Sequence, residues 1–113
     1  MGQTRTIGKT ATTVRRDKDG TLSVVYHATE VVRVDPSGVI HLNTGGWKTQ
    51  TTKNRMNQTA NQFGLGFMVS QKNFEWSVRF TKPSDHSWAS AKMVPFTGDY
   101  LAFNPKTGDV LPL

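Results

Sequence analysis

Apolar and polar positions alternate with a period of two through most of this chain, and the breaks in that alternation mark its turns and its one helix. Leu22, Val24 and Tyr26 alternate with Thr21, Ser23, Val25 and His27, the pattern of a half-buried strand. Thr29 to Val34 continues it, with Val32 and Val34 directed to the core. Val39 to Leu42 returns with Ile40 and Leu42 on one face. Upstream, Thr6 to Arg16 is threonine-rich and β-prone. Asp17-Lys18-Asp19-Gly20 reads as a hairpin turn. Asp35-Pro36-Ser37-Gly38 reads as a β-turn, with Pro and Gly at positions that favour them. The N-terminal part of the chain therefore predicts a four-stranded antiparallel meander.

The period then changes. Met56, Ala60 and Phe63 fall at i, i+4 and i+7, which predicts a helix over Thr52 to Phe63 with those three on its apolar face. Asn54, Asn57, Gln58 and Asn61 are placed on the opposite side, and Arg55, Thr59 and Gln62 along one flank. Thr51 or Thr52 is the expected N-cap. Gly64 is the expected left-handed C-cap, with Leu65 supplying the accompanying apolar contact. Alternation resumes at Leu65, Phe67 and Val69, pauses at a Gln71-Lys72-Asn73 turn, and continues through Phe74, Trp76, Val78 and Phe80. Thr81 to Ala91 reads as a polar loop with Trp88 tucked at the core edge. Lys92 to Phe96 and Asp99 to Phe103 form an expected last hairpin across Thr97-Gly98. The tail from Asn104 is either loose or laid on the body through Val110 and Leu111, and residues 1–5 are expected to be loose. The sum is one α+β domain over residues 1–113. It consists of a curved antiparallel sheet of about seven or eight strands packed on one central α-helix.

Composition narrows the function classes. With 35% hydrophobic residues, the six Phe, three Trp and two Tyr must fill much of the core. No apolar run is long enough to span a membrane, and Met1 to Thr6 lacks the apolar stretch of a secretion signal. A cytoplasmic location is therefore expected. Zero cysteines exclude disulfides, thiolate catalysis and thiolate zinc sites. His27, His41 and His86 are widely spaced, so no metal site is expected. The acids sit largely in turns (Asp17, Asp19, Asp35, Asp99, Asp109), where they serve backbone hydrogen bonds. No arrangement of acid, base and nucleophile stands out, so the chain reads as a non-catalytic protein without a cofactor.

Charge changes the picture most. The net charge is +6, which favours polyanionic partners. No Asp or Glu occurs from Pro36 to Phe74, while Lys48, Lys53, Arg55 and Lys72 lie there. A second cluster of Arg5, Lys9, Arg15, Arg16 and Lys18 lies near the N-terminus. Inside the acid-free span, Leu42-Asn43-Thr44-Gly45-Gly46-Trp47 leads into the helix start. Helix N-termini carry unpaired N–H groups and a partial positive charge, and they bind phosphate readily after a glycine-rich approach. The candidate ligand-binding set is Gly45, Gly46, Trp47, Lys48, Thr51, Thr52, Lys53 and Arg55. In it the glycines permit close backbone approach, Trp47 offers a stacking face, and the cations meet phosphate.

Those same residues carry a resemblance. Leu42-Asn43-Thr44-Gly45-Gly46-Trp47, Thr49, Thr51-Thr52-Lys53, Arg55-Met56-Asn57, Phe63-Gly64-Leu65-Gly66-Phe67 and Gln71-Lys72 resemble a family of small uncharacterised proteins encoded in tailed phages and prophages. The resemblance covers roughly positions 20 to 80. It implies a phage product acting in a bacterial cytoplasm and brings no catalytic residue with it. The leading expectation is a small basic accessory protein that binds phosphate-bearing ligands, nucleic acid first among them. The alternative is an anti-defence inhibitor, docking on a bacterial host protein complex or sequestering a nucleotide signal. A virion structural role is the further option.

Overall fold

In the computed structural model the described residues are 12–46, 48–81 and 91–111. The predicted meander is present. β1 (Thr12–Arg16), β2 (Leu22–Tyr26), β3 (Thr29–Val34) and β4 (Ile40–Asn43) pair in sequence order, all antiparallel. The two predicted turns close it. Gly20 N–H donates to the Asp17 carbonyl at 3.0 Å, and Gly38 N–H to the Asp35 carbonyl at 2.9 Å. The Asp35 carboxylate locks the second turn by accepting from the N–H groups of Ser37 and Val39 and from the Ser37 hydroxyl. Val24, Val32, Ile40 and Leu42 are buried as their alternation requires.

The second half departs from the sequence reading. Instead of one sheet of seven or eight strands, the described residues form two. β5 (Phe67–Lys72), β6 (Glu75–Phe80) and β7 (Lys92–Pro95) make the three-stranded sheet in that order, while β8 (Tyr100–Asn104) and β9 (Asp109–Leu111) extend the meander into a six-stranded sheet, β1-β2-β3-β4-β8-β9. β5 and β6 make the expected hairpin. β7 adds to β6, whereas β8 adds to β4. The predicted hairpin across Thr97-Gly98 is therefore a crossing from one sheet to the other. The reason is aromatic packing between layers. Phe103 on β8 stacks on Phe80 of β6 at 4.6 Å between centroids and meets Phe67 of β5 edge-on at 5.8 Å. Phe96, just past β7, sits edge-on to Trp76 at 6.0 Å with its N–H on the Trp76 carbonyl. The tail takes the second of its two options, with β9 (Asp109–Leu111) pairing with β8.

Helix α1 spans Gln50–Phe63, two residues longer at its start than predicted. Its N-cap is Thr49, not Thr51 or Thr52. The Thr49 hydroxyl accepts from the Thr52 N–H at 3.2 Å. Gly64 is the left-handed C-cap at φ 62°, and both its N–H and that of Leu65 reach the Ala60 carbonyl. Met56 and Ala60 are buried and Phe63 partly so, as predicted.

Asn57, by contrast, had been assigned to the polar face and is 4% exposed. Its amide donates to the Val69 carbonyl at 2.8 Å and accepts from the Val69 N–H at 2.7 Å. A single side chain thus imitates a neighbouring strand along β5, satisfying groups that an open sheet edge would expose. Gln58, also expected outside, is buried and accepts from Arg55. Phe74 was expected to begin β6. It occupies the β5–β6 turn with Asn73, both at positive φ, and is 93% exposed.

Candidate functional site

The loop from β4 into α1 is built on side-chain hydrogen bonds to backbone. Gly45 N–H is held by the Asn43 side chain at 2.8 Å, and Gly46 N–H by the Thr44 hydroxyl at 3.2 Å. Both glycines have positive φ, 63° and 87°. Gly45 has a packing reason as well, since a Cβ there would clash with the hydroxyl of Thr29 and lie 2.8 Å from its methyl carbon. That approach brings the β2–β3 turn against the loop. Thr44 is fixed from the other side, with its N–H on the Asp99 carbonyl and its hydroxyl donating to the Asp99 carboxylate at 2.5 Å.

Between these two loops and the first turn of α1 lies a cavity of about 390 Å³, lined by Tyr26, His27, Ala28, Thr29, Val31, Thr44, Thr49 and Thr52. It falls toward the lower end of the size range of small-molecule sites, roughly 300–1,000 Å³. Tyr26 and His27 form an aromatic corner, with ring centroids 4.4 Å apart and planes tilted by 55°. His27 holds a left-handed backbone, φ 56°, at the tip of the two-residue turn between β2 and β3.

Of the eight predicted ligand-binding residues, the structure brings one into the wall of this cavity, Thr52, and sets Gly45 and Gly46 in the loop beside it. Thr51 is half-buried on the first turn. Lys48 turns inward. Its ammonium donates to the carbonyls of Phe96 (2.9 Å) and Thr97 (3.1 Å) and lies 5.5 Å and 5.8 Å from the ring centroids of Phe96 and Trp76. It thereby ties the helix-start loop to the crossing between the sheets. The Arg55 guanidinium lies 5.4 Å from the Tyr26 ring centroid and donates to the Thr12 hydroxyl and the Gln58 amide oxygen. Lys53 makes no side-chain hydrogen bond or ion pair among the described residues and is half-exposed. Trp47 and Trp88 lie outside the described residues.

The cavity residues that the sequence reading missed are Tyr26, His27, Ala28, Thr29, Val31, Thr44 and Thr49. Thr44 and Thr49 stand inside the motif singled out above and were within reach. The β2–β3 residues carried no signal, because nothing local says which turn meets the glycine loop.

Three other carboxylates pair with basic side chains of the six-stranded sheet. Arg15, Ser23, Arg33, His41, Ala102 and Leu111 form one register row across the six-stranded sheet. Each basic side chain of that row has an acid beside it: Arg15 with Asp17 at 3.2 Å, Arg33 with Glu30 at 3.8 Å, His41 with Asp35 at 3.2 Å. His41 also bonds the Tyr100 hydroxyl through its other ring nitrogen. The positive excess therefore belongs to other parts of the surface, Lys53 among them. Among the described residues no group of three His, Asp or Glu side chains is arranged to hold a metal ion, and no helix is long and apolar enough to cross a membrane.

Residues 2–101 match the model of the Kyanoviridae Gp96 protein family. The chain belongs to that family, a family of phage proteins of unknown function. No match was found among curated proteins or among solved structures.

Proposed function

We propose that this member of the Kyanoviridae Gp96 family is a non-catalytic accessory protein that binds a phosphate-bearing ligand at the start of α1, with nucleic acid as the ligand class. The observation that carries this reading is the cavity itself, a concave site at the first turn of the helix, where Lys53 follows the lining residue Thr52 in the chain. The acid-free span from Pro36 to Phe74 supports it, because it supplies Thr44, Thr49 and Thr52 to the cavity and carries four cations and no acid. Trp47, one residue before Lys48, stacks on a base in this reading, a contact worth ~1–3 kcal/mol. The site of action is the cytoplasm of the bacterial host.

The test is binding of single-stranded DNA, duplex DNA and RNA, followed by electrophoretic mobility and tryptophan fluorescence at two salt concentrations. Lys53→Ala is expected to weaken binding uniformly across sequences and to lower the salt slope by about one. Unchanged affinity and slope in that variant would remove Lys53 from the site. No binding of any of the three at low salt would sink the reading.

A second reading rests on a different observation. Phe74 is exposed at a strained turn, and Met68 and Met93 flank Arg79 in one register row on the outer face of the three-stranded sheet. Exposed Phe, Met and Arg together are the composition of a protein-docking surface. This favours an anti-defence inhibitor that docks on a bacterial protein complex. Nuclease-treated host lysate passed over wild type and over Phe74→Gly separates the two readings. A partner held by wild type and lost by the variant supports docking, and equal capture by both counts against it.

A further inference from the structure

We infer that the cavity at the start of α1 receives the uncharged ring of the ligand, a nucleobase, and leaves the phosphate outside beside Lys53. The inference deepens the phosphate-ligand reading above and rests on it. Among the described residues the lining contains no Lys, Arg, Asp or Glu. Four threonines carry hydroxyls there, and three of these are already committed. Thr44 donates to Asp99 and accepts from Gly46, while Thr49 and Thr52 bond each other and Thr49 also caps the helix. Thr44 and Thr52 are each 1% exposed, so what they give the cavity is mostly wall.

A phosphate placed wholly inside would be a desolvated anion with no lysine or arginine of the described residues in the lining to meet it, an arrangement proteins avoid because its cost is large. A flat neutral ring meets the opposite conditions. Tyr26 and His27 form an aromatic corner, and Ala28 and Val31 supply apolar contact. The guanidinium of Arg55 lies over Tyr26 and is held by Thr12 and Gln58, so it braces the aromatic wall. Thr29 alone of the four threonines has a hydroxyl without a hydrogen-bond partner among the described residues. With the Tyr26 hydroxyl and the His27 ring nitrogens, it is a side-chain handle for a ring nitrogen or exocyclic group. The ligand is therefore a nucleotide, free or as one residue of a single strand, with its base buried and its phosphate in solvent near Lys53.

The experiment uses the full chain and five probes: adenosine, uridine, their 5′-monophosphates and inorganic phosphate, titrated at two salt concentrations by amide chemical-shift perturbation. At least one nucleoside is expected to perturb Tyr26, Thr29 and Thr52, with an affinity within about tenfold of its monophosphate and independent of salt. Inorganic phosphate is expected to leave those three residues unmoved. Thr29→Val should weaken the nucleoside by roughly five- to tenfold, the effect of one hydrogen bond. If phosphate and the monophosphates perturb Thr49 and Thr52 while the nucleosides do not, the buried group is the phosphate; this inference falls and the functional reading stands. If none of the five probes moves the cavity residues, the inference and the small-ligand form of the functional reading fail together.

Discussion

Single residues in this protein divide by whether a neighbour or only the backbone constrains them. Gly45 and Gly46 look alike in sequence and share positive φ, but a Cβ on Gly45 would meet Thr29, whereas one on Gly46 meets nothing within 4 Å. Gly46→Ala is therefore expected to cost about 1 kcal/mol, the left-handed strain alone, and Gly45→Ala about 2–4 kcal/mol, strain plus overpacking. Urea midpoints of the two variants measure the difference directly. Asn57 is the second case. Its amide pairs with both the N–H and the carbonyl of Val69 on that edge. Asn57→Leu leaves two buried groups unsatisfied and should cost roughly 2–4 kcal/mol, with faster hydrogen exchange at Val69.

Asp35 gives a pH signature at the same scale. Partial burial raises its pKa, but the hydrogen bonds from Ser37, His41 and the Val39 N–H, with the charge of His41, outweigh burial and hold it below the usual carboxylate range. A depressed folded-state pKa contributes stability above the unfolded value, and that stability is lost as pH falls through the folded value. Stability should thus decline below about pH 4, and Asp35→Asn should flatten that part of the profile, as read by thermal melts between pH 2 and 6.

At the scale of elements, the ends of α1 and the tip of the β5–β6 hairpin differ in how well local chemistry serves them. The helix has a threonine N-cap and a glycine C-cap, both favourable. Thr49→Ala should destabilise by about 1 kcal/mol, and Thr51→Ala should stay within about 0.5 kcal/mol, because only the first hydroxyl accepts from the Thr52 N–H. The hairpin is served poorly. Two-residue turns with both central residues at positive φ favour Asn-Gly, and this one holds Asn73-Phe74. Phe74→Gly is expected to raise stability by about 0.5–1 kcal/mol. A phenylalanine retained where glycine is more stable, and 93% exposed there, is the kind of local rule-breaking that accompanies function, and it is why the docking reading is attached to this residue.

For the whole molecule, the organising contact is between layers. Phe103, Phe80 and Phe67 join a strand of the six-stranded sheet to two strands of the three-stranded one, and α1 closes the side where β5 would otherwise present an edge. Lys48 links the helix-start loop to the crossing at Phe96 and Thr97, so the cavity and the sheet-to-sheet connection share a support. Charge is sorted over the surface too, with three acid–base pairs on the six-stranded sheet and Lys53 on α1 making no side-chain hydrogen bond or ion pair among the described residues.

The sequence by itself determined what depends on neighbours in the chain. The β1–β4 meander, its Asp-Gly and Pro-Gly turns, the apolar face of the helix and its glycine C-cap are all local, since period and turn chemistry act over a few residues. It also pointed to the helix-start loop, because glycines, threonines and missing acids are visible in one stretch. Tertiary structure alone decided the rest. The strand after Thr97-Gly98 joined β4 because Phe103 had a distant aromatic partner to stack on. Asn57 went inside because an unpaired strand edge needed its amide. The cavity acquired its aromatic corner from a turn some twenty residues away in sequence, fitted against Gly45 by the absence of a side chain there. Such pairings between remote segments leave no periodic trace, because their energies depend on which surfaces meet and not on the order of residues along the chain.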